Sequence, residues 1–149
     1  MDYEDAANKL IKYSKALAKG SLSSAYGLAM GEGPVLAYIC RSKEPLNPSD
    51  LAKRLGYSRS RMTRILDSLA AKGYVRRESD KNDGRRVIVT ATEEGRKYSH
   101  DTRDEGVGNL AESLSVLGED DTRELIRVLE KAYSITYDRE GIVIPDSKK

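Results

Sequence analysis

The segment from Asn47 to Thr90 constrains the fold more than any other part of this 149-residue chain. It opens with asparagine and Pro48, a typical helix N-cap followed by the residue favoured at the first helical position. The apolar face of the helix that follows is formed by Leu51, Ala52 and Leu55. Gly56 is typical of a helix end. The pattern therefore predicts a short amphipathic helix closed by a tight glycine turn.

A second, basic helix is predicted directly after this turn, with Ser58 suited to cap it and Lys72-Gly73 at its end. Its apolar stripe, at helical spacing, is Met62, Ile65, Leu66 and Leu69. At about 100° per residue, the opposite face and its flank carry Ser60, Arg61, Thr63, Arg64, Asp67 and Ser68. Two helices joined by a turn of three or four residues, the second with a polar and basic outer face, describe a helix-turn-helix.

The residues after the second helix predict a β-hairpin. Residues 74–77 and 86–90 are rich in β-forming side chains, and residues 78–85 between them contain the turn-forming run Asn82-Asp83-Gly84. A helix-turn-helix followed at once by a hairpin is a winged helix. The predicted fold class is therefore mainly α with one small β-hairpin.

The run from Leu46 to Gly95 resembles the DNA-binding domain of the MarR family of bacterial and archaeal transcriptional regulators. The motifs that carry the resemblance are the wing Asp80-x-x-Asp83-x-Arg85 and the Thr92-Glu93-Glu94-Gly95 that follows it. The helical flanks also fit the family's layout, so the resemblance extends over nearly the whole chain. It implies a winged helix-turn-helix regulator of transcription, most often a repressor, that binds DNA as a homodimer.

The distribution of charge agrees with a DNA-binding function. Residues 48–90 contain eleven Lys and Arg against five Asp and Glu, a net charge of +6, whereas residues 91–149 contain nine against fourteen, a net charge of −5. Positive charge is thus concentrated in the predicted winged helix, as expected for a surface that faces a polyanion. The sequence predicts double-stranded DNA as the partner.

Arginine and small polar side chains on the predicted recognition helix are the expected DNA contacts. An arginine can bond guanine O6 and N7 together, which favours Arg61 and Arg64 for base readout. The full set expected to reach bases or phosphates is Ser58, Arg59, Ser60, Arg61, Thr63, Arg64 and Ser68. An exposed basic helix without a ligand is the alternative.

In the wing, the resemblance implies that Asp80 and Asp83 order the loop and orient Arg85, which enters the minor groove or meets its phosphates. Lys81, Asn82 and Arg86 would assist it. A narrow A·T-rich minor groove concentrates negative potential and attracts such an arginine.

Helices are also predicted on both sides of this region, at residues 2–19, 21–30, 31–42, 93–117 and 119–137. Their amphipathic stripes are too many to bury on a small winged helix, and pairing with a second copy solves this. We therefore expect one domain in which residues 1–30 and 93–137 form dimerisation helices around a winged helix at 31–92. A flexible tail is expected at 138–149. The resemblance implies the same dimer, with a pseudo-palindromic operator.

Many members of the family bind a small aromatic or anionic effector between the dimerisation helices and the winged helix. Residues that could line such a site are Lys12, Tyr13, Tyr26, Tyr38 and Arg41. The alternative is that the tyrosines replace Phe and Trp, both absent from this chain, in the core. Cys40 lies on an apolar helix face and is expected to be a core residue rather than a redox switch.

No pattern supports an enzyme, a cofactor or a metal site. The single histidine, His100, forms with Asp104 an i, i+4 pair better explained as a surface pair, because a metal shell would need further ligands. One cysteine and no signal-like or membrane-spanning apolar run suggest a cytoplasmic protein. The rival function is a winged helix that docks an acidic protein partner, although such a surface usually exposes an apolar patch.

Overall fold

The structure is a computed structural model that describes residues 1–20 and 23–140, with side chains except at residues 24–26 and 136–140. Its helices are α1 (Tyr3–Lys19), α2 (Ser23–Ala29), α3 (Glu32–Arg41), α4 (Pro48–Leu55), α5 (Arg59–Ala71), α6 (Glu93–Leu117) and α7 (Glu119–Glu140). Its strands are β1 (Val75–Ser79) and β2 (Val87–Ala91). The predicted mainly helical winged-helix fold is confirmed.

The chain divides into two compact units, one comprising residues 1–110 and the other beginning at Ala111. The first unit contains the winged helix. The assignment of residues 1–30 and 93–137 to dimerisation, and of 138–149 to a flexible tail, stays a prediction. Residues 138–140 are helical in α7, and residues 141–149 lie outside the described part of the chain.

The helix-turn-helix forms through the capping residues that the sequence indicates. The Asn47 side chain accepts a hydrogen bond from the Asp50 amide at 2.9 Å, and Pro48 opens α4. Gly56 ends α4 with φ 67° and ψ 28°, the left-handed conformation that favours glycine. Ser58 then caps α5 by accepting a hydrogen bond from the Arg61 amide at 3.2 Å.

The two strands pair antiparallel, with Val75 opposite Ala91 and Ser79 opposite Val87. The first strand therefore begins one residue later and ends two residues later than predicted. Tyr74 is excluded because its amide bonds to the Leu69 carbonyl at 2.9 Å and its carbonyl accepts from Thr92. An unpredicted bridge joins Leu46 to the second strand, through a 2.7 Å hydrogen bond from the Val89 amide.

One apolar cluster connects α3, α4, α5 and the hairpin. Its buried residues are Val35, Leu36, Ile39, Leu46, Leu51, Ala52, Met62, Ile65, Leu66, Leu69, Val75 and Val89. The four stripe residues predicted for α5 are all among them. Because this stripe is buried, the opposite face of α5 is turned to solvent.

The start of α6 is held close to the chain between α5 and β1. The Thr92 hydroxyl donates to the Gly73 carbonyl at 2.7 Å and accepts from the Gly95 amide at 3.0 Å. Gly95 is buried against the backbone of Tyr74, and the Tyr74 ring stacks on Tyr98 with centroids 4.4 Å apart. A side chain larger than hydrogen has no room at residue 95.

The helices outside the winged helix keep apolar side chains exposed. None of the residues of α1 is buried, and its exposed apolar residues include Leu10, Ile11, Tyr13 and Leu17. In the second unit, α7 exposes Leu125, Ile126, Val128, Leu129, Tyr133 and Ile135. No helix among the described residues is both long and apolar enough to cross a membrane.

Candidate DNA-binding surface

The N-terminal half of α5 presents a continuous polar and basic surface. Its exposed side chains are Ser58, Arg59, Ser60, Arg61, Thr63 and Arg64. The Ser58 and Ser60 hydroxyls lie 3.2 Å apart, and the Thr63 hydroxyl donates to the Arg59 carbonyl at 3.0 Å. These small side chains stay close to the helix backbone, so the longer arginines extend beyond them.

The Arg61 side chain is held by an aromatic ring that sequence reasoning did not select. Its guanidinium carbon lies 4.3 Å from the centre of the half-buried Tyr57 ring, in the turn between α4 and α5. This cation–π contact orients the guanidinium at the flank of α5 before any ligand arrives. Arg64, by contrast, is exposed on the outer face of the helix.

Ser68 differs from the other predicted contacts because it is partly buried on the side of α5 that faces α3. It hydrogen-bonds to Glu32, which also forms a 2.6 Å ion pair with Lys72. Burial by itself would raise the pKa of Glu32, but the two hydrogen bonds and the charge of Lys72 lower it. Because Ser68 is hydrogen-bonded to Glu32 of α3, it is a weaker candidate for a phosphate contact than Ser58 or Ser60.

The wing loop is ordered by carboxylates that bond to its own backbone. Asp80 accepts from the Asn82 amide at 2.8 Å, and Asp83 accepts from the Arg85 amide at 3.1 Å. Two backbone hydrogen bonds of 2.8 Å, from the Asp80 amide to the Arg86 carbonyl and from the Arg86 amide to the Asp83 carbonyl, close the loop. The four cationic or amide side chains predicted to help in binding are all exposed, at Lys81, Asn82, Arg85 and Arg86.

Arg77, which the sequence did not single out, connects the wing to α5. The Arg77 guanidinium on β1 forms a 2.7 Å ion pair with Asp67 and a 3.4 Å hydrogen bond with the Thr63 carbonyl. The sequence did contain an indication of this contact. Asp67 is an acid on a helix face expected to meet DNA, and a carboxylate there is expected to have a cation nearby. The alternation of β1 also places Arg77 on the same face as the buried Val75.

Four of the five residues predicted to bind an effector have side chains that the structure describes, and each makes a local contact. Tyr38 bonds through its hydroxyl to Arg54 at 2.8 Å, and Arg41 donates to the Ala37 carbonyl within its own helix. Lys12 lies over the ring of its neighbour Tyr13. The side chain of Tyr26 is outside the described part of the structure.

A cavity of about 430 Å³ does lie nearby, lined by Gly27, Met30, Glu32, Gly33, Leu36, Leu69, Tyr98, Thr102, Glu105 and Gly106. Of the predicted effector residues whose side chains the structure describes, which are Lys12, Tyr13, Tyr38 and Arg41, none lines it. The carboxyl groups of Glu32 and Glu105 in its lining do not suit the anionic class of effector that the family resemblance implied.

Cys40 is half-buried against the core, with its sulfur 3.9 Å from the Gly95 carbonyl oxygen. Burial raises the pKa of this thiol, although Ser99 and the charges of Arg96 and Arg41 act in the opposite direction. A raised pKa leaves little thiolate at neutral pH and so disfavours redox reactivity. Among the residues that the structure describes, no group of three or more potential metal ligands occurs.

Comparison with known proteins gives a consistent set of similarities. The model described as MarR family matches residues 26–86. The uncharacterized HTH-type transcriptional regulator YfiV of Bacillus subtilis is 32% identical over 90 residues, covering 58% of this chain and 56% of YfiV. The transcriptional repressor MprA of Escherichia coli K12 is 28% identical over 101 residues, covering 66% of this chain and 57% of MprA.

The chain thus spans about half the length of the curated relatives that it matches. Among solved structures, the Staphylococcus aureus MepR–DNA complex superposes with a TM-score of 0.62 at 20% identity, over 86% of this chain and 96% of MepR. At that level of identity the superposition establishes the shared fold.

Proposed function

We propose that this chain is a MarR-family transcriptional regulator, acting as a repressor, that binds a specific sequence of double-stranded DNA as a homodimer. The observation that carries the proposal is the exposed face of α5, where three arginines and three small hydroxyl side chains surround the first two helical turns. The ordered cationic wing extends beside it.

The chemistry of this surface suits DNA in two ways. Arginine forks on a recognition helix match the O6 and N7 acceptors of guanine in the major groove, and serine hydroxyls suit phosphate oxygens. At the wing tip, Arg85 and Lys81 are exposed and held by a loop whose carboxylates are already bonded to backbone amides. Those carboxylates serve to order the loop that carries the two cations.

The dimer is supported by the apolar side chains that α1 and α7 leave exposed. Leu129 is 59% exposed and Leu10 is 69% exposed, and each belongs to a row of apolar residues at helical spacing. Exposed apolar faces of this kind mark interaction surfaces, and a second copy of the same chain would cover them. A two-fold dimer would present two recognition helices to the DNA.

The solved MepR–DNA complex and the name of MprA, a repressor, support the same function by analogy. The rival proposal, a surface that docks an acidic protein, has less support. The exposed face of α5 carries arginines and hydroxyls where a docking surface usually carries apolar residues. An effector at the residues named above stays a prediction.

Footprinting on the DNA that flanks the protein's own gene tests the proposal. We expect protection of one pseudo-palindromic region with two half-sites centred about 10 base pairs apart, as two-fold related recognition helices require. Protection of a single half-site would contradict the dimer. Uniform protection along the whole fragment, or none at any concentration, would contradict sequence-specific binding.

A further inference from the structure

The contact between Arg77 and α5 joins the two parts of the DNA-binding surface. One terminal nitrogen of Arg77 lies 2.7 Å from an Asp67 carboxylate oxygen, and the other donates to the Thr63 carbonyl at 3.4 Å. Both acceptors belong to the exposed face of the recognition helix. Arg77 is therefore engaged on the helix with both ends of its guanidinium fork.

Of the two side chains in this ion pair, that of Arg77 is the more buried. The Arg77 side chain is 33% exposed, whereas that of Asp67 is 57% exposed. Arg77 lies on the α5-facing side of β1, opposite the buried Val89 in the register of the hairpin. The Arg77 guanidinium is therefore directed to α5 and not to a ligand bound at the surface.

Asp67 is the other unusual member of this surface. It is an exposed acid two turns along α5 from the cap, on the face that carries Ser60, Thr63 and Arg64. A free carboxylate there would repel DNA phosphates. Paired with Arg77, it instead supplies the anchor by which the wing is attached to the recognition helix.

We propose that Arg77 and Asp67 form a positioning pair, which sets the distance of the wing from the recognition helix and so places Arg85 on the DNA. This inference rests on the proposed DNA-binding function. It assigns Arg77 a role through Arg85, without a phosphate contact of its own.

Charge reversal separates this role from simple attraction to DNA. Asp67→Arg adds positive charge to the surface, so a purely electrostatic account expects tighter binding. A positioning pair requires the opposite, because two arginines would face each other and push the wing away. We expect Asp67→Arg and Arg77→Asp each to weaken binding at least tenfold, and the double exchange to recover binding to within about threefold of the parent. Tighter binding by Asp67→Arg, or a double exchange no better than Arg77→Asp, would overturn the proposal.

A double-mutant cycle with the wing tip tests whether Arg77 acts through Arg85. Arg77→Ala is expected to weaken binding about tenfold in the parent and less than twofold in an Arg85→Ala background, since the wing contact is then already lost. Equal losses in both backgrounds would show an independent contact and overturn the proposal.

Arg76→Ala is the matched control, because it removes the same charge from the adjacent residue, on the opposite face of β1. Its effect should be equal in both backgrounds. Circular-dichroism melting of every variant separates unfolding from displacement of the wing. Loss of the exposed Arg77–Asp67 pair should change the melting temperature little. Failure of the parent itself to bind DNA would overturn the proposed function together with this role, whereas binding with additive effects would overturn the pair alone.

Discussion

Gly95→Ala is expected to destabilise the protein by about 3 kcal/mol, at the upper end of the range for overpacking in a core. A β-carbon at residue 95 would lie 2.1 Å from the Tyr74 carbonyl oxygen and 2.8 Å from its carbonyl carbon. The neighbour is backbone, so no rotation of a side chain relieves the clash.

The backbone of Tyr74 also has little freedom to move away. Its amide bonds to the Leu69 carbonyl at 2.9 Å, and its carbonyl accepts from the Thr92 amide at 3.0 Å. The start of α6 is similarly fixed, since the Thr92 hydroxyl bonds to both Gly73 and Gly95. Adding the methyl group must therefore break at least part of this network.

The measurement is thermal or urea unfolding of the purified variant, where a loss of about 3 kcal/mol corresponds to roughly 10 °C in melting temperature. Gly108→Ala is the matched control in the same helix, because nothing lies within 4 Å of a β-carbon there. That change should stabilise the protein by about 0.5–1 kcal/mol. If Gly95→Ala were as stable as the parent, the close approach of α6 to Tyr74 would be wrong.

Arg64→Ala is expected to weaken binding to the operator by about 1–3 kcal/mol, or roughly five- to 150-fold, and to relax preference at one base position. Arg64 is exposed on the outer face of α5, whereas the neighbouring Arg61 is held over Tyr57 at the flank. An arginine exposed on the outer face of the recognition helix is best placed for bidentate contact with guanine.

Arg85→Ala provides the contrast, because the loss of a wing arginine from the minor groove should weaken binding to most sequences alike. It should also reduce the steepness of the salt dependence by about one unit. The measurement is the affinity of each variant for a series of operators, each with one base pair replaced. If Arg64→Ala and Arg85→Ala gave the same profile across the series, or bound like the parent, the assignment of base reading to α5 would be wrong.

The parts of the fold that were predictable from the sequence are those determined by local chemistry. Asn47 and Pro48 start α4, Gly56 ends it in the left-handed conformation, and Ser58 caps α5. Because these signals act within a few residues, the chain carries them whatever the rest of the fold does. The buried stripe of α5 follows from helical spacing alone.

Other features depend on contacts between distant residues, which no local pattern encodes. Arg77 reaches Asp67 only because the hairpin folds back against α5, and Leu46 joins β2 although no strand pattern surrounds it. The clash at Gly95 likewise exists only once α6 docks on Tyr74. The effector residues were chosen by type along the sequence, and their role stays a prediction. In the structure Tyr38 bonds to Arg54, and Arg41 bonds to the Ala37 carbonyl.

The central claim is sequence-specific binding of double-stranded DNA, and a fluorescence-anisotropy titration tests it most directly. The parent protein would be titrated into labelled DNA from the flank of its own gene, and into a scrambled duplex, at about 50 and 200 mM salt. We predict tight binding to the flanking DNA that survives competition by the scrambled duplex. With about six phosphate contacts, its affinity should fall roughly a thousandfold between the two salt concentrations. Equal affinity for both duplexes, or no binding to either, would contradict the claim.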